Sequence, residues 1–489
     1  MNSSVFFKTE SGSCYLYDAH HQQLLNVHPI IETIHGFSEQ INVKDVKEYL
    51  FEKHSDLSKY DIELYLNKYN FLKAQDFFKP FDFDRVFTFH TTAKQIESQI
   101  AHLDVITFQV TNDCNLNCKY CCFGEMYNNK QQHTAENMSF NTVQSFFEYI
   151  IPYWNSNPNN KLIIVGFYGG EPLLNFPVIE KTVSFCKNIA SDDLVFDFSI
   201  TTNAVLLDRY ANYLVENKFK ILFSLDGDEK GNIFRIDKNN KSSFKRVFNN
   251  IKRLKEKYPD YFEEKVSFNS VLNKYSPAIE VNNFIFSEFG KIPVFSRMSD
   301  VGLNKEKIKE YTQIMQPYIE TEELISIRQN KSSRLKELGG FFYFNLNNSY
   351  KHFSEIVHFN KRNQKKILTG TCLPFYKKLF ISADRKIYAC ERIGFEYDLG
   401  YIDEKVNIDF ESVAQKYTTY FSEIKKQCAD CYFADMCSEC MFQFPSLNNI
   451  PKCPYQYGEE EYKKHLSKMI GLLEKHPDFF DKMNKSVFA

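Results

Sequence analysis

A chain of 489 residues is longer than one hydrophobic core usually supports, so we expect two or three domains. The formal net charge of -2 leaves no basic surface of the kind that nucleic-acid-binding proteins use. No run of about 18 apolar residues occurs and the first residues lack the pattern of a signal peptide. We therefore expect a cytoplasmic protein that binds neither nucleic acid nor membrane.

The first segment, residues 1–95, has a pattern of its own. The stretch "SCYLYDAHHQQLLNVHP" alternates as two short strands around a polar turn. Three helical stretches follow: "PIIETIHGF", "VKDVKEYLFEKH" and "LSKYDIELYLNKYNFLKA". A hairpin and three helices predict a small winged-helix-like module.

Strand-like apolar runs then alternate with amphipathic helices over residues 104–300. The predicted strands are 105–111, 162–170, 194–203, 220–227, 266–273 and 292–298. Six such units predict an α/β fold, a partial (β/α)6 TIM-type barrel with its site at the carboxyl ends of the strands. A helical bridge (301–365), a cysteine-rich domain (366–460) and a helical tail (461–489) complete the expected organisation.

Thirteen cysteines, most of them clustered, indicate metal or redox chemistry in a reducing compartment. The stretch "TNDCNLNCKYCC" carries Cys114, Cys118, Cys121 and Cys122 directly after the first barrel strand. Cys118 and Cys121 alone would fit zinc, a redox pair or an iron-sulfur cluster equally well. Three thiolates on one tight loop suit a 4Fe-4S cluster with one open iron, because structural zinc prefers four ligands. Cys122 is expected to be a packed side chain and not a cluster ligand.

The motif of Cys114, Cys118, Tyr120 and Cys121 resembles the signature of the radical S-adenosylmethionine (SAM) family, Cys-x3-Cys-x-aromatic-Cys. The segment "YGGEPLL" (168–174) resembles the family's second-strand motif. The resemblance implies that Gly169 and Gly170 let the backbone approach SAM and that Glu171 accepts hydrogen bonds from its ammonium group. An ordinary strand-to-helix turn is the alternative interpretation.

Two further segments, "ITTNAVLL" and "FSLDG", resemble the third and fourth strand motifs of that family. The resemblance implies that Ser224 and Asp226 face the SAM ribose and that Thr202 and Asn203 line the same pocket. Arg235 matches an arginine that the family often has near SAM. Alternatively, the Ser, Thr, Asp and Asn side chains only cap the helices that follow.

The family uses a 4Fe-4S cluster to cleave SAM to a 5'-deoxyadenosyl radical, which abstracts a hydrogen from the substrate. By this resemblance the cofactors are SAM and the cluster on Cys114, Cys118 and Cys121. A flavodoxin or a ferredoxin-type protein is the expected electron donor.

A second set of seven cysteines resembles the SPASM extension of radical SAM peptide-modifying enzymes. It departs from that pattern at Arg385, where the family has Gly, and between Cys437 and Cys440, where the gap is one residue short. The resemblance assigns one auxiliary 4Fe-4S cluster to Cys428, Cys431, Cys437 and Cys453. It assigns another to Cys372, Cys390 and Cys440, which is open or completed by a non-cysteine group. Two zinc knuckles are the alternative.

The hairpin and helices of residues 1–95 resemble the recognition element of enzymes that modify ribosomally made peptides (RiPPs), in which a leader peptide adds a strand to the sheet edge. The resemblance implies a precursor peptide as partner and favours a thioether or other crosslink as the product. The alternative is an anaerobic sulfatase-maturing enzyme that forms formylglycine. An iron-sulfur electron carrier is a third possibility, but it would not need the SAM-binding motifs.

Overall fold

The computed structural model describes most of the chain. The described residues are 4–21, 23–37, 43–53, 57–128, 132–156, 161–300, 302–316, 365–376, 378–435, 437, 439–447 and 450–475. Most of the predicted helical bridge and the end of the predicted tail lie outside these residues.

The amino-terminal segment folds as a three-stranded antiparallel sheet followed by three helices. Its elements are β1 (Ser4–Lys8), β2 (Cys14–Asp18), β3 (Gln23–Asn26), α1 (Ile30–Phe37), α2 (Val43–Lys53) and α3 (Lys59–Ala74). The strand order is β1-β2-β3, so the predicted hairpin has an additional strand at its outer side. A capping box between Ser58 and Asp61 starts α3. The helices enclose a small core of their own, which includes Ile30, Leu50 and Ile62.

The connection to the large sheet runs through α4 (Phe83–Val86), β4 (Phe87–Thr88) and α5 (Ala93–Ile100). The next strands are β5 (Val105–Thr111), β6 (Lys161–Gly169), β7 (Leu194–Thr202), β8 (Lys220–Ser224), β9 (Val266–Val271) and β10 (Val294–Ser296). The helices among them are α6 (Phe140–Asn155), α7 (Phe176–Ile189), α8 (Leu207–Glu216), α9 (Phe244–Lys257), α10 (Pro259–Lys265) and α11 (Ala278–Phe289). All six predicted strands form, and they pair in parallel in the order of the sequence. Their carboxyl ends therefore lie along one edge of the sheet.

The cysteine-rich region extends this sheet instead of forming a separate one. After α12 (Ile308–Ile314) and β11 (Lys366–Ile367) come β12 (Lys378–Ile381), β13 (Lys386–Tyr388), β14 (Gly400–Ile402) and β15 (Val406–Asn407). Strand β12 pairs in parallel with β5, and β13 to β15 follow as an antiparallel meander. The result is one mixed sheet of ten strands, beginning at β10 and ending at β15.

The last elements return to the start of the chain. They are α13 (Phe410–Cys428), β16 (Ser446–Leu447), β17 (Ile450–Pro451) and α14 (Glu459–Lys475). Helix α14 packs beside β1, where the Ser467 hydroxyl donates to the backbone oxygen of Lys8 at 2.7 Å. The Tyr15 hydroxyl donates to Glu474 at 2.8 Å. No helix among the described residues is both long and apolar enough to cross a membrane.

Candidate active site and cysteine clusters

The loop after β5 carries the first cysteine motif and is fixed by backbone pairing with another loop. The amide of Asn117 donates to the oxygen of Ile236 at 2.7 Å, and the amide of Lys119 donates to the oxygen of Phe234 at 3.0 Å. A third bond closes the motif on itself, from the amide of Cys121 to the oxygen of Cys118 at 3.1 Å. The backbone therefore holds this loop against the Phe234–Ile236 segment without help from the cysteine side chains.

The three predicted cluster cysteines lie at this strand end in a largely buried environment. Cys114 is buried, and Cys118 and Cys121 are partly exposed. Burial raises the pKa of Cys114 to about 12, and it also raises the pKa of Cys118, against the opposing effect of Arg235. Metal binding would therefore have to displace protons from these thiols.

Close packing of β6 against this loop explains both glycines of "YGGE". A Cβ on Gly169 would lie 2.3 Å from the backbone oxygen of Thr111, and a Cβ on Gly170 would lie 2.2 Å from that of Asp113. Any side chain at either position would push the cysteine loop away from the strand end. The two glycines thus set the distance between β6 and the motif.

Glu171 is completely buried, and its carboxylate is hydrogen-bonded to other groups of the protein. Its carboxylate accepts hydrogen bonds from the amide of Leu173 (3.1 Å), the hydroxyl of Thr202 (2.7 Å) and the amide of Asn203 (2.8 Å). Burial raises its pKa to about 7, although all three donors favour the charged form. The carboxylate therefore joins the ends of β6 and β7 and remains poised between charged and neutral forms near neutral pH.

Thr202 and Asn203 lie at the end of β7, beside the cysteine loop. The amide nitrogen of the Asn203 side chain donates to Asn115 at 2.8 Å and lies 3.8 Å from the sulfur of Cys114. Ser224 ends β8 and is partly buried. The ends of β5, β6 and β7 thus come together around Cys114.

Asp226 and Arg235 form a buried ion pair beside Tyr120. The guanidinium donates to both carboxylate oxygens, at 2.9 and 3.1 Å, and the side chain of Arg235 is 9% exposed while that of Asp226 is 0% exposed. The Tyr120 hydroxyl and the amide of Val271 also donate to Asp226. Arg235 lies 5.6 Å from the centre of the Tyr120 ring. In this structure both residues hold the aromatic residue of the motif in place.

His133 was not identified from the sequence, yet it contacts the motif. Its Nε2 lies 3.4 Å from the sulfur of Cys121, and its Nδ1 lies 2.8 Å from the backbone oxygen of Asn112. No motif marks this histidine in the sequence, because it reaches the site from the loop before α6. Only the folded arrangement identifies it.

The four cysteines that the sequence assigns to one auxiliary cluster influence one another electrostatically. Burial and the neighbouring thiols of Cys437, Cys431 and Cys453 all raise the pKa of Cys428, which ends α13. The amide of Cys453 donates to the side chain of Gln427, one residue before Cys428, at 2.8 Å. The thiols of Cys431, Cys437 and Cys453 therefore lie near enough to Cys428 to influence its pKa.

The other three cysteines of the carboxyl-terminal region are Cys372, Cys390 and Cys440. Negative charge on Cys372 raises the pKa of Cys440, although burial has the larger effect. Beside Cys390, Glu391 is held by Lys378 in a 2.6 Å ion pair. Burial raises the pKa of Glu391, but the charge of Lys378 and the hydrogen bonds to the carboxylate together outweigh burial and lower this pKa to about 2. That these seven thiols hold two auxiliary clusters stays a prediction.

The donor chemistry fits iron-sulfur clusters. Among the described residues, no three His, Cys, Asp or Glu side chains lie close enough to share a single metal ion. In a cubane cluster each cysteine binds a different iron, so its ligands need not converge on one point. All ten predicted cluster ligands are thiols, the usual ligands of such clusters.

Comparison with known proteins identifies the domain that contains the first set. Residues 108–276 match the Radical SAM superfamily, and this stretch is a radical SAM domain. The chain is 30% identical over 217 residues to the radical SAM cyclopropyl synthase TigE of Paramaledivibacter caminithermalis, a match covering 39% of this chain and 43% of that protein. It is 23% identical over 349 residues to a cysteine-type anaerobic sulfatase-maturating enzyme of Clostridium novyi, covering 68% and 86% of the two chains.

The fold is also similar to a solved structure, native anSMEcpe with bound AdoMet. The TM-score is 0.54 at 17% identity, and the alignment covers 78% of this chain and 99% of that one. Enzymes with a radical SAM domain use a 4Fe-4S cluster and SAM, and Cys114, Cys118 and Cys121 are the residues predicted to hold such a cluster in this chain. The matched part spans less than half of the cyclopropyl synthase, so the substrate has to be inferred from the chain itself.

Proposed function

We propose that this protein is a radical SAM enzyme that modifies a ribosomally made precursor peptide and installs a thioether or other crosslink. The observation that carries the proposal is the unpaired edge of β3 in the amino-terminal sheet, among the described elements. A peptide in extended conformation can pair with such an edge through its backbone.

Only one edge of that sheet is open among the described elements. The β1 edge faces α14, and the backbone oxygen of Lys8 is already bonded to Ser467. On the other side, the amide of Val27 donates to Cys14 of β2, so Val27 faces into the sheet. Because directions alternate along a strand, the backbone groups of Leu24 and Asn26 point outward. These groups can pair with a leader peptide.

Helix α3 adds apolar surface near that edge. His28, just after β3, stacks on Tyr65 of α3 with ring centres 4.5 Å apart. The same helix exposes Tyr60 (75%) and Leu64 (50%) to solvent. Side chains at alternate positions of a docked strand need apolar contacts of this kind for selectivity.

The site residues have separate roles in the proposed reaction. When bound, a 4Fe-4S cluster and SAM supply the hydrogen-abstracting radical. Cys114, Cys118 and Cys121 would hold the cluster, and Asp226 and Arg235 keep Tyr120 of the motif in place. Gly169, Gly170 and Glu171 fix the edge at which SAM would lie. Thr202, Asn203 and Ser224 would line its pocket, which the buried strand ends protect from water.

A specific observation also favours formylglycine formation in a sulfatase. The similarity to the Clostridium novyi sulfatase-maturating enzyme covers 86% of that protein, more than the similarity to the cyclopropyl synthase covers. A related solved structure contains a bound peptide, Cp18Cys. However, 99% of anSMEcpe aligns with only 78% of this chain. About a fifth of this chain therefore lies outside the alignment, enough for a further module.

A substrate competition distinguishes the two functions. Purified enzyme with SAM and dithionite would be given a short cysteine-bearing peptide encoded beside its gene, the same peptide without its leader, and a sulfatase-derived Cys-x-Pro-x-Arg peptide. We expect mass loss only in the full-length precursor. Efficient turnover of the sulfatase peptide, or equal turnover of the leaderless peptide, would contradict the proposal.

Metal analysis tests the cofactor part of the proposal. Anaerobically reconstituted protein should contain on the order of twelve irons, because three cysteine sets would each hold a 4Fe-4S cluster. About four irons with two zincs would instead identify the carboxyl-terminal sets as zinc knuckles.

A further inference from the structure

Helix α13 places a buried tyrosine beside one of the two carboxyl-terminal cysteine sets. Tyr417 is 2% exposed, and its hydroxyl has no hydrogen-bond partner among the described residues. Leaving a buried hydroxyl unpaired costs about 1–3 kcal/mol, so such groups are rare in folded proteins. The partner of this hydroxyl is therefore expected to be a group that binds at this place.

The ring of Tyr417 packs against the segment that carries Cys440, one of the set formed by Cys372, Cys390 and Cys440. Its ring meets the ring of Phe442 edge to face, with centres 5.3 Å apart, and Phe442 lies two residues after Cys440. The hydroxyl of Thr371, next to Cys372, accepts the amide of Met441 at 2.8 Å and lies 4.0 Å from the sulfur of Cys440. The segments of Cys372 and Cys440 thus meet beside this ring.

The same surroundings keep the proton on Tyr417. Burial raises its pKa well above the ordinary value, and the thiols of Cys440, Cys372 and Cys390 add to the effect. A neutral phenol next to thiolates and sulfides is a hydrogen-bond donor. A donor to cluster sulfur stabilises the additional negative charge of the reduced state and so raises the reduction potential.

We propose that the Tyr417 hydroxyl donates a hydrogen bond to the auxiliary iron-sulfur cluster held by Cys372, Cys390 and Cys440 and raises its reduction potential. This inference rests on the proposed assignment of a cluster to those cysteines. Tyr417 acts as a positioning residue that tunes the group, and it is not a ligand. The electron that the reaction releases would thereby be accepted more readily at this cluster.

The matched control is Tyr420, one turn farther along α13. Its ring also packs edge to face on Phe442, with centres 5.7 Å apart. The pKa of Tyr420 is raised by burial and by the carboxylates of Glu396 and Asp398, and no thiol contributes. Tyr417→Phe and Tyr420→Phe remove the same atom from neighbouring positions, but by this proposal only the first removes a hydrogen-bond donor to the cluster.

The experiment is an anaerobic redox titration of reconstituted wild type and both variants, followed by electron paramagnetic resonance, with iron and zinc determined on each sample. We expect unchanged iron in Tyr417→Phe, one auxiliary signal shifted to more negative potential, and no shift in Tyr420→Phe. An unchanged titration, or an equal shift in both variants, would overturn the inference. Loss of about four irons in Tyr417→Phe would also overturn it, because Tyr417 would then be a ligand. Zinc in the wild type at these cysteines would remove the cluster assignment itself, and this inference with it.

Discussion

Burial determines the chemical state of the residues around Cys114. Glu171 accepts three hydrogen bonds, yet its pKa is raised from 4.5 to about 7 because water is excluded. Between pH 4.5 and about 7, the carboxyl of Glu171 therefore keeps its proton in the folded protein, whereas it has lost this proton in the unfolded chain. The stabilising effect of this proton is complete below pH 4.5 and is lost as the pH rises through 7.

Replacing Glu171 with Gln should remove this pH dependence. A shift of this size corresponds to about 3 kcal/mol in the free energy of unfolding. The single tryptophan, Trp154, is buried in α6 and reports unfolding of the barrel by its fluorescence. Urea unfolding of metal-free protein from pH 4.5 to 8 should show wild type losing stability relative to Glu171→Gln. The exposed Glu180→Gln serves as control and should follow wild type. Parallel curves for all three proteins would refute this reading of Glu171.

Of the four clustered cysteines, three should be required for the first cluster and for SAM cleavage, and one should not. Replacing Cys114, Cys118 or Cys121 with Ala should remove one cluster and abolish SAM cleavage by dithionite-reduced enzyme, since each would hold an iron. Cys122→Ala should retain both the irons and the cleavage, because Cys122 lies outside the Cys-x3-Cys-x-aromatic-Cys motif. The measurements are iron content and 5'-deoxyadenosine by chromatography. Loss of about four irons in folded Cys122→Ala would contradict the assignment of Cys114, Cys118 and Cys121 as the cluster ligands.

At the scale of elements, the strand β3 offers a direct test of leader binding. Proline at position 26 removes an outward amide but no hydrogen bond to β2, because Val27 and not Asn26 faces that strand. Asn26→Pro should therefore weaken binding of the full-length precursor by on the order of tenfold, about 1.4 kcal/mol. Calorimetry measures the affinity.

Asn26→Ala is the matched control for that variant. Both changes remove the same side chain, including its 3.3 Å hydrogen bond to the oxygen of Cys14, and only proline removes the amide. SAM cleavage without peptide should be the same in both variants. Equal affinity of the two variants for precursor would exclude strand addition at this edge.

The strands differed in how well they could be predicted. The six barrel strands are continuous apolar runs between amphipathic helices, and β5 was predicted at its observed bounds, Val105–Thr111. Several short strands were missed, β1 and β12 among them. β1 is five residues long, and β12 is a four-residue strand whose partner β5 lies far away in the sequence. Pairing over such a distance leaves no local periodicity.

Those parts of the candidate site whose residues form a motif of fixed spacing could be predicted from the sequence. The three cysteines of the first loop lie within eight consecutive positions, 114 to 121, so the amino-acid sequence alone displays them as a motif. His133 and Tyr417 could not be predicted, because a lone histidine and a helical tyrosine have no distinctive pattern. Their contacts with Cys121 and with the segment of Cys440 arise only when separate elements pack together.

At the scale of the whole molecule, the amino-terminal segment is not a detached module. Val5, Phe7 and Tyr17 of its sheet belong to the main hydrophobic core, together with Tyr462 and other residues of α14. The hydroxyl of Tyr17 donates to Asp435, which lies between Cys431 and Cys437. The proposed leader-binding sheet is thus joined directly to the loop of one cysteine set.

Deleting residues 1–95 should therefore damage the carboxyl-terminal region as well as any binding of a leader. Each large apolar side chain removed from contact withdraws about 1.5–3 kcal/mol of burial, and several are removed together. We expect the amides of α14 to exchange with deuterium on the order of a hundredfold faster in the truncated protein, since each tenfold corresponds to about 1.4 kcal/mol. Amides of β7 and β8, in the centre of the barrel sheet, serve as the internal control and should keep their protection. If α14 exchanged at the wild-type rate, the sheet would be an independent module. The deletion would then test leader binding alone. The core that Tyr17 and Tyr462 share argues against an independent module.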